Sequence, residues 1–120
     1  MRDFYNLRVW RQAHRLSIAV NERFAAVPRR GFSHVARQAQ RASSSIPTNI
    51  VEGCGHDSPR EFARHLGHAI GSANELEYHL IEARDFRLVH AADFERFRAA
   101  VREVRRKLVV LRERVRRDGA

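Results

Sequence analysis

Arg41-Ala42-Ser43-Ser44-Ser45-Ile46-Pro47-Thr48-Asn49-Ile50-Val51-Glu52-Gly53 is the stretch whose reading decides the fold. Ala39, Ala42, Ile46, Ile50 and Gly53 recur at intervals of three and four residues, which puts them on one helix face. The same stretch carries serines, a proline, a threonine and an asparagine, all of which weaken a helix interior. Pro47 offers no N–H to the Ser43 carbonyl and its ring crowds that carbonyl, so a kinked helix is predicted. So polar a helix needs a packing or binding partner for its polar side.

Helical periodicity extends outward in both directions, and strand signals are absent. Val9, Ala13, Leu16, Val20, Phe24 and Val27 predict a first helix over about 8–27, closed by Pro28. Arg29-Arg30-Gly31 reads as a turn, with Ser33 as N-cap of the second helix and Gly53-Cys54-Gly55 as its left-handed end. Ser58-Pro59-Arg60-Glu61 opens a third helix, with serine as cap, proline in the first turn and Glu61 reaching back. Its seam is Phe62, Leu66, Ala69, Ala73, Leu76, Leu80 and Ala83. A fourth helix from about 91–93 carries Phe94, Phe97, Val101, Val104, Leu108, Leu111 and Val115. Amphipathic helices with short connectors predict an all-α, up-down-up-down antiparallel four-helix bundle, with residues 1–120 as a single domain. Gly67 and Gly71 invite a close neighbour, for which the second helix is the expected one.

Bulk composition narrows the function classes. No apolar run is long enough for a membrane span, and the N-terminal residues lack the core of a secretory signal. Cys54 is the only cysteine, which suits the cytoplasm, and it is read as a small buried thiol. The net charge is +9 and is unevenly spread. Residues 1–31 and 91–120 each come to +5, residues 32–57 to zero and residues 58–90 to −1. So basic a chain favours anionic partners such as nucleic acid or acidic lipid.

Several of the residues already named carry a family resemblance. Arg41-Ala42, Ser45-Ile46-Pro47, Asn49-Ile50 and Glu52-Gly53 resemble the signature of the 23S rRNA intervening-sequence proteins. So do Phe62, Leu66, Ala69, Gly71-Ser72, Glu75-Leu76-Glu77 and Leu80, and the opening Leu7-Arg8-Val9-Trp10-Arg11-Gln12-Ala13. Ser43-Ser44 and Val51 depart from it, standing where alanine is expected. The resemblance implies a four-helix bundle, shared with accessory proteins of diversity-generating retroelements, that assembles into a five-fold ring. It implies no enzyme activity, and the family name records where some of its genes lie rather than a biochemical role.

In such a bundle the two +5 segments lie side by side, leaving the second and third helices as a neutral flank. Arg41, Ser45, Pro47, Asn49, Glu52, Gly71, Ser72 and Glu75 are the residues expected to build structural ties or self-contacts there. On the fourth helix Arg98, Arg102, Arg105, Arg112 and Arg116 fall within an arc of about 80° and a length of about 27 Å. No acid of that helix shares the arc; Glu103 is expected to pair with Lys107, and Glu113 with Arg117. An unpaired guanidinium row suits phosphate oxygens, although a basic helix face is ordinarily just solvated. The expected function is non-enzymatic, backbone-led binding of RNA or DNA by a homo-oligomer. The alternative is a structural or protein-interaction adaptor.

Catalytic patterns are wanting. No Glu-x-x-His pair, nucleophile elbow or glycine-rich phosphate loop occurs. Glu75 and Glu77 diverge on a helix. Glu52/His56, Glu75/His79 and His65/His68 have ligand-like spacing, but His65, His68 and His79 read as surface histidines, so no metal, cofactor or small-molecule substrate is expected. Trp10 and Tyr78 are read as packing or interface residues.

Overall fold

The computed structural model describes residues 2–119; Met1 and Ala120, the ends of the expected domain, lie outside the described residues. A 3₁₀ turn, Phe4–Asn6, leads into α1 (Arg8–Ala25), α2 (Ser33–Cys54), α3 (Pro59–Asp85) and α4 (Ala91–Gly119). These pack as an antiparallel bundle of 48 × 21 × 19 Å, with no strand among the described residues. The broadest contact is between α2 and α3, followed by α3 and α4; α1 and α4 share the narrowest helix–helix seam.

The predicted seams form the core. Ala39, Ala42, Ile46, Ile50 and Gly53 of α2 are buried, as is every seam residue of α3 from Phe62 to Ala83. On α4, Phe94, Phe97, Val101, Val104, Leu108 and Val115 are buried, and Leu111 packs half-buried beside them. Each large side chain so placed contributes about 1.5–3 kcal/mol.

Several local expectations are corrected. The first helix stops at Ala25, and Val27 donates to the Phe24 carbonyl at 3.1 Å in a turn; a residue before proline is driven out of the helical region. Ser33 lies inside α2, and its hydroxyl accepts from Arg37 Nη2 rather than capping the backbone. Gly55 ends α2 in a right-handed conformation, φ −75°. Ser58 does cap α3, accepting from the Glu61 N–H at 3.3 Å, but the Glu61 carboxylate turns to Arg64. Gly67 faces Arg112 of α4 rather than α2, and Gly71 is open, with nothing within 4 Å of where a Cβ would stand. The glycine that permits a tight helix crossing is Gly53, where a Cβ would sit 2.9 Å from both His65 Cβ and Phe62 Cδ1.

α2 continues as one helix through buried Pro47, and its polar residues tie it to both neighbours. Asn21 of α1 donates to Ser43 Oγ at 3.2 Å and to Ser44 Oγ at 3.1 Å, and Gln40 Nε2 donates to the Asn21 carbonyl at 3.0 Å. Toward α3, the Ser45 and Ser72 hydroxyls bond at 2.8 Å, whereas Asn49, expected as a tie to a neighbour, donates from Nδ2 to the Ser45 carbonyl at 2.9 Å within α2 itself. Small hydroxyls let the helices approach and still satisfy buried polar atoms.

α3 ends in a Schellman motif: Leu88 N–H bonds the Ala83 carbonyl at 2.8 Å and Arg87 N–H the Arg84 carbonyl at 3.0 Å. The left-handed position is held by Arg87, φ 61°, where glycine carries no Cβ penalty. Arg87→Gly should therefore stabilise the protein by about 1 kcal/mol in chemical denaturation; a loss of stability would show that the arginine side chain matters more than its backbone strain.

Candidate nucleic-acid interface

The arginine row on α4 is not unpaired. Glu77 of α3 reaches into it, accepting from Arg105 Nη1 at 2.6 Å and Arg102 Nε at 2.8 Å, with Arg98 Nε 3.6 Å away. Arg105 Nη1 also donates to Asn74 Oδ1 at 3.0 Å. The absence of an acid in the arc holds for α4 alone, because the acid arrives from the neighbouring helix. Three guanidinium groups share one carboxylate, so the node keeps a charge of +2 (three minus one).

Arg116 pairs with Glu113 at 3.2 Å, which displaces the expected Glu113–Arg117 pair. Glu103 does pair with Lys107 at 3.6 Å, and more closely with Arg106 at 2.8 Å. Arg112 lies over Gly67, and its buried Nε finds no hydrogen-bond partner among the described residues.

Burial pushes the Glu77 carboxyl up, but the hydrogen bonds and charges of Arg105 and Arg102 outweigh it and hold the pKa below the usual 4.5. A depressed carboxylate pKa gives stability that is fully present above the unfolded value and is lost as pH falls through the folded one. Glu77→Gln should thus lose about 1–2 kcal/mol at neutral pH. In urea melts the gap from wild type should close in acid, where Glu77 is itself protonated. A gap that stays constant with pH would contradict the ion-pair origin.

The other flank of α4 faces α1 across an open seam. Its upper part, about 310 Å³, has an apolar floor of Leu16, Ala19, Phe97, Ala100 and Val104, rimmed by Gln12, Arg15, Arg96 and Glu103. Its lower part, about 480 Å³, is bordered by Arg8, Arg106, Lys107 and Arg114. The seam is clamped by Arg23–Asp93 at 2.9 Å and by Lys107 Nζ donating to Gln12 at 2.8 Å. α4 is therefore basic on both flanks.

The residues expected to build self-contacts separate into two groups. Ser45, Asn49, Ser72 and buried Pro47 serve contacts inside the bundle. Arg41 (bonded to Gln38), Glu52, Gly71 and Glu75 are exposed on the α2–α3 flank, as is Tyr78, which is therefore not a core residue. Trp10 is half-buried against Phe4, Tyr5 and His14.

His65 is buried, contrary to its reading as a surface histidine; desolvation, with the charges of Arg64 and His56, holds its pKa below the usual 6.5. His79 is half-buried, its Nδ1 2.7 Å from Glu82 and its Nε2 3.6 Å from Glu75. Cys54 is buried as expected, and burial pushes its thiol pKa up. Glu77 and Asn21 are the residues sequence reasoning missed as organisers. Both are polar residues next to an apolar seam, but the hydroxyls of Ser43 and Ser44 that Asn21 binds and the guanidinium groups of Arg102 and Arg105 that Glu77 binds lie more than twenty residues away in the chain.

No helix among the described residues is long and apolar enough to cross a membrane. No curated protein matches the chain. A solved structure from Bacteroides thetaiotaomicron VPI-5482, described as a protein of unknown function from the S23 ribosomal protein family, superimposes with a TM-score of 0.77 at 20% identity. The match covers 86% of this chain and 96% of that one, and at this identity it establishes the fold. Residues 5–110 match the family described as 23S rRNA-intervening sequence protein. With that match spanning most of the sequence and the bundle in agreement, the chain belongs to the 23S rRNA-intervening sequence protein family.

Proposed function

We propose that this protein is a non-enzymatic, homo-oligomeric bundle that binds the phosphate backbone of RNA or DNA along α4. The observation that carries this reading is the charge of α4 on both flanks. Arg98, Arg102, Arg105, Arg112 and Arg116 outnumber Glu77 and Glu113 on one side, and on the other Arg106, Lys107 and Arg114 of α4, joined by Arg8 and Arg15 of α1, outnumber Glu103. Glu77 fans three guanidinium groups into fixed positions without cancelling them, which suits repeated phosphates. The α2–α3 flank, with Arg41, Glu52, Gly71 and Glu75 exposed, is the surface for contact between copies.

Backbone-led binding falls steeply with salt and discriminates weakly between sequences. Titrating labelled oligonucleotides of unrelated sequence at several salt concentrations should give a linear fall of log K with log salt, nearly the same for each. Absence of binding at low salt would refute the reading. The absolute mass of the purified protein tests the oligomer, for which a monomer is the contrary result.

A protein-interaction role has one observation in its favour. Phe32 and Phe86, 48% and 39% exposed, stack at 4.0 Å at one end of the bundle. Binding of a protein partner, lost in Phe32→Ser, with no affinity for oligonucleotides would favour it.

A further inference from the structure

We infer that the junction of α2 and α3 is a binding site for a borderline transition-metal ion such as Zn²⁺, with His56, Glu61 and His65 as ligands. His56 lies in the connector after α2, Glu61 in the first turn of α3, and His65 one turn later on the same face. One ligand atom from each of the three falls within 4.8 Å of the others. The His56 and His65 rings stack at 5.1 Å, and Glu52 Oε2, from the last turn of α2, stands 3.7 Å from His65 Nδ1.

The second observation is His65 itself. The residue is only 8% exposed, and its Nδ1 is buried without a hydrogen-bond partner among the described residues. A buried polar atom left unpaired is costly and rare, and it calls for an explanation such as an absent ion. Here the orphan nitrogen stands 3.7 Å from Glu52 Oε2, on a residue that itself belongs to a cluster of donors. Gly53 makes this arrangement possible, since a Cβ there would clash with His65 Cβ and Phe62. The close crossing presses the end of α2 onto His65 and brings both Glu52 and His56 against its ring.

Two imidazoles and one or two carboxylates, without a thiolate, suit Zn²⁺, Co²⁺, Ni²⁺ or Cu²⁺ better than Ca²⁺ or Mg²⁺. Ligand atoms around a tetrahedral ion stand about 3.3 Å apart. His56, which is exposed, and Glu61, which is half-buried, can rotate to close the present gap, while buried His65 is the fixed member. Glu61 now pairs with Arg64 at 2.9 Å, so the ion must displace that guanidinium. Sequence spacing singled out Glu52/His56 and His65/His68 but did not join His56 to Glu61 and His65, because the turn between α2 and α3 is what brings them together.

The test is calorimetric titration of untagged protein with Zn²⁺ and Ni²⁺, alongside thermal melts. The expected result is one ion per chain and a Tm that rises with added Zn²⁺. His65→Ala alone is a poor probe because it empties a buried position. His56→Gln changes an exposed connector residue and should fold normally, yet weaken binding about tenfold or more and abolish the Tm rise. Glu61→Gln should weaken binding in the same way. No binding to the wild type, unchanged affinity in His56→Gln, or loss of binding on His79→Gln instead would each overturn the site.

Discussion

Replacing Arg102, Arg112 and Arg116 together by glutamine should weaken oligonucleotide binding by on the order of a hundredfold or more near 0.1 M salt. Each lost phosphate contact should also lower the slope of log K against log salt by about 1, so the triple variant should fall by about 3. The choice of residues follows from the Glu77 node. Charge reversal at Arg98 or Arg105 would set carboxylates against half-buried Glu77 and damage the α3–α4 contact. Arg102 and Arg116, with half-exposed side chains, can lose their charge while Arg98 and Arg105 continue to hold Glu77. At position 112 glutamine keeps the first two methylenes of the arginine stem and gives up Nη1, the atom that lies over Gly67. The measurement is fluorescence anisotropy across a salt series, with circular dichroism to confirm an intact bundle. An unchanged affinity and slope in a folded variant would place the interface elsewhere.

Phe62→Ala should have the largest effect on stability. The ring is fully buried, touches the space left by Gly53 and lies beneath the Arg2 guanidinium at 4.3 Å from its centroid. It seals the end of the bundle where α2 gives way to α3. The neighbours are parts of two helices in close contact, so they cannot easily collapse into the cavity. Truncation of such a phenylalanine costs about 3–5 kcal/mol, a large share of the roughly 5–15 kcal/mol that holds a domain folded. For a chain of this size the melting temperature should drop by roughly 10–20 °C. A loss below about 1 kcal/mol would mean that the junction is loosely packed.

The seams of α3 and α4 were legible because period alone sorts a helix into faces, and Phe62, Leu66, Leu76, Leu80, Phe94, Phe97 and Leu108 needed nothing else. The polar stretch was legible as a packing feature but not in its partners. Ser43 and Ser44 meet Asn21 of α1, and Ser45 meets Ser72 of α3, and these pairings depend on the rotation of each helix about its axis. Gly67 and Gly71 misled for the same reason, since a glycine marks room for a neighbour without naming it. The arginine row was found by its helical arc, but its partner Glu77 comes from another helix. His65 was read as exposed because its sequence neighbours are charged; the approach of α2 at Gly53 is what covers it.

The central claim is that α4, basic on the side facing α3 and on the side facing α1, carries the interface while the exposed α2–α3 flank does not, and arginine-specific footprinting with and without bound RNA tests it most directly. The account predicts that Arg102, Arg112, Arg114 and Arg116 become protected on binding, while Arg37, Arg41 and Arg84 react as before. Protection of Arg37 and Arg41 with no change along α4 would contradict it.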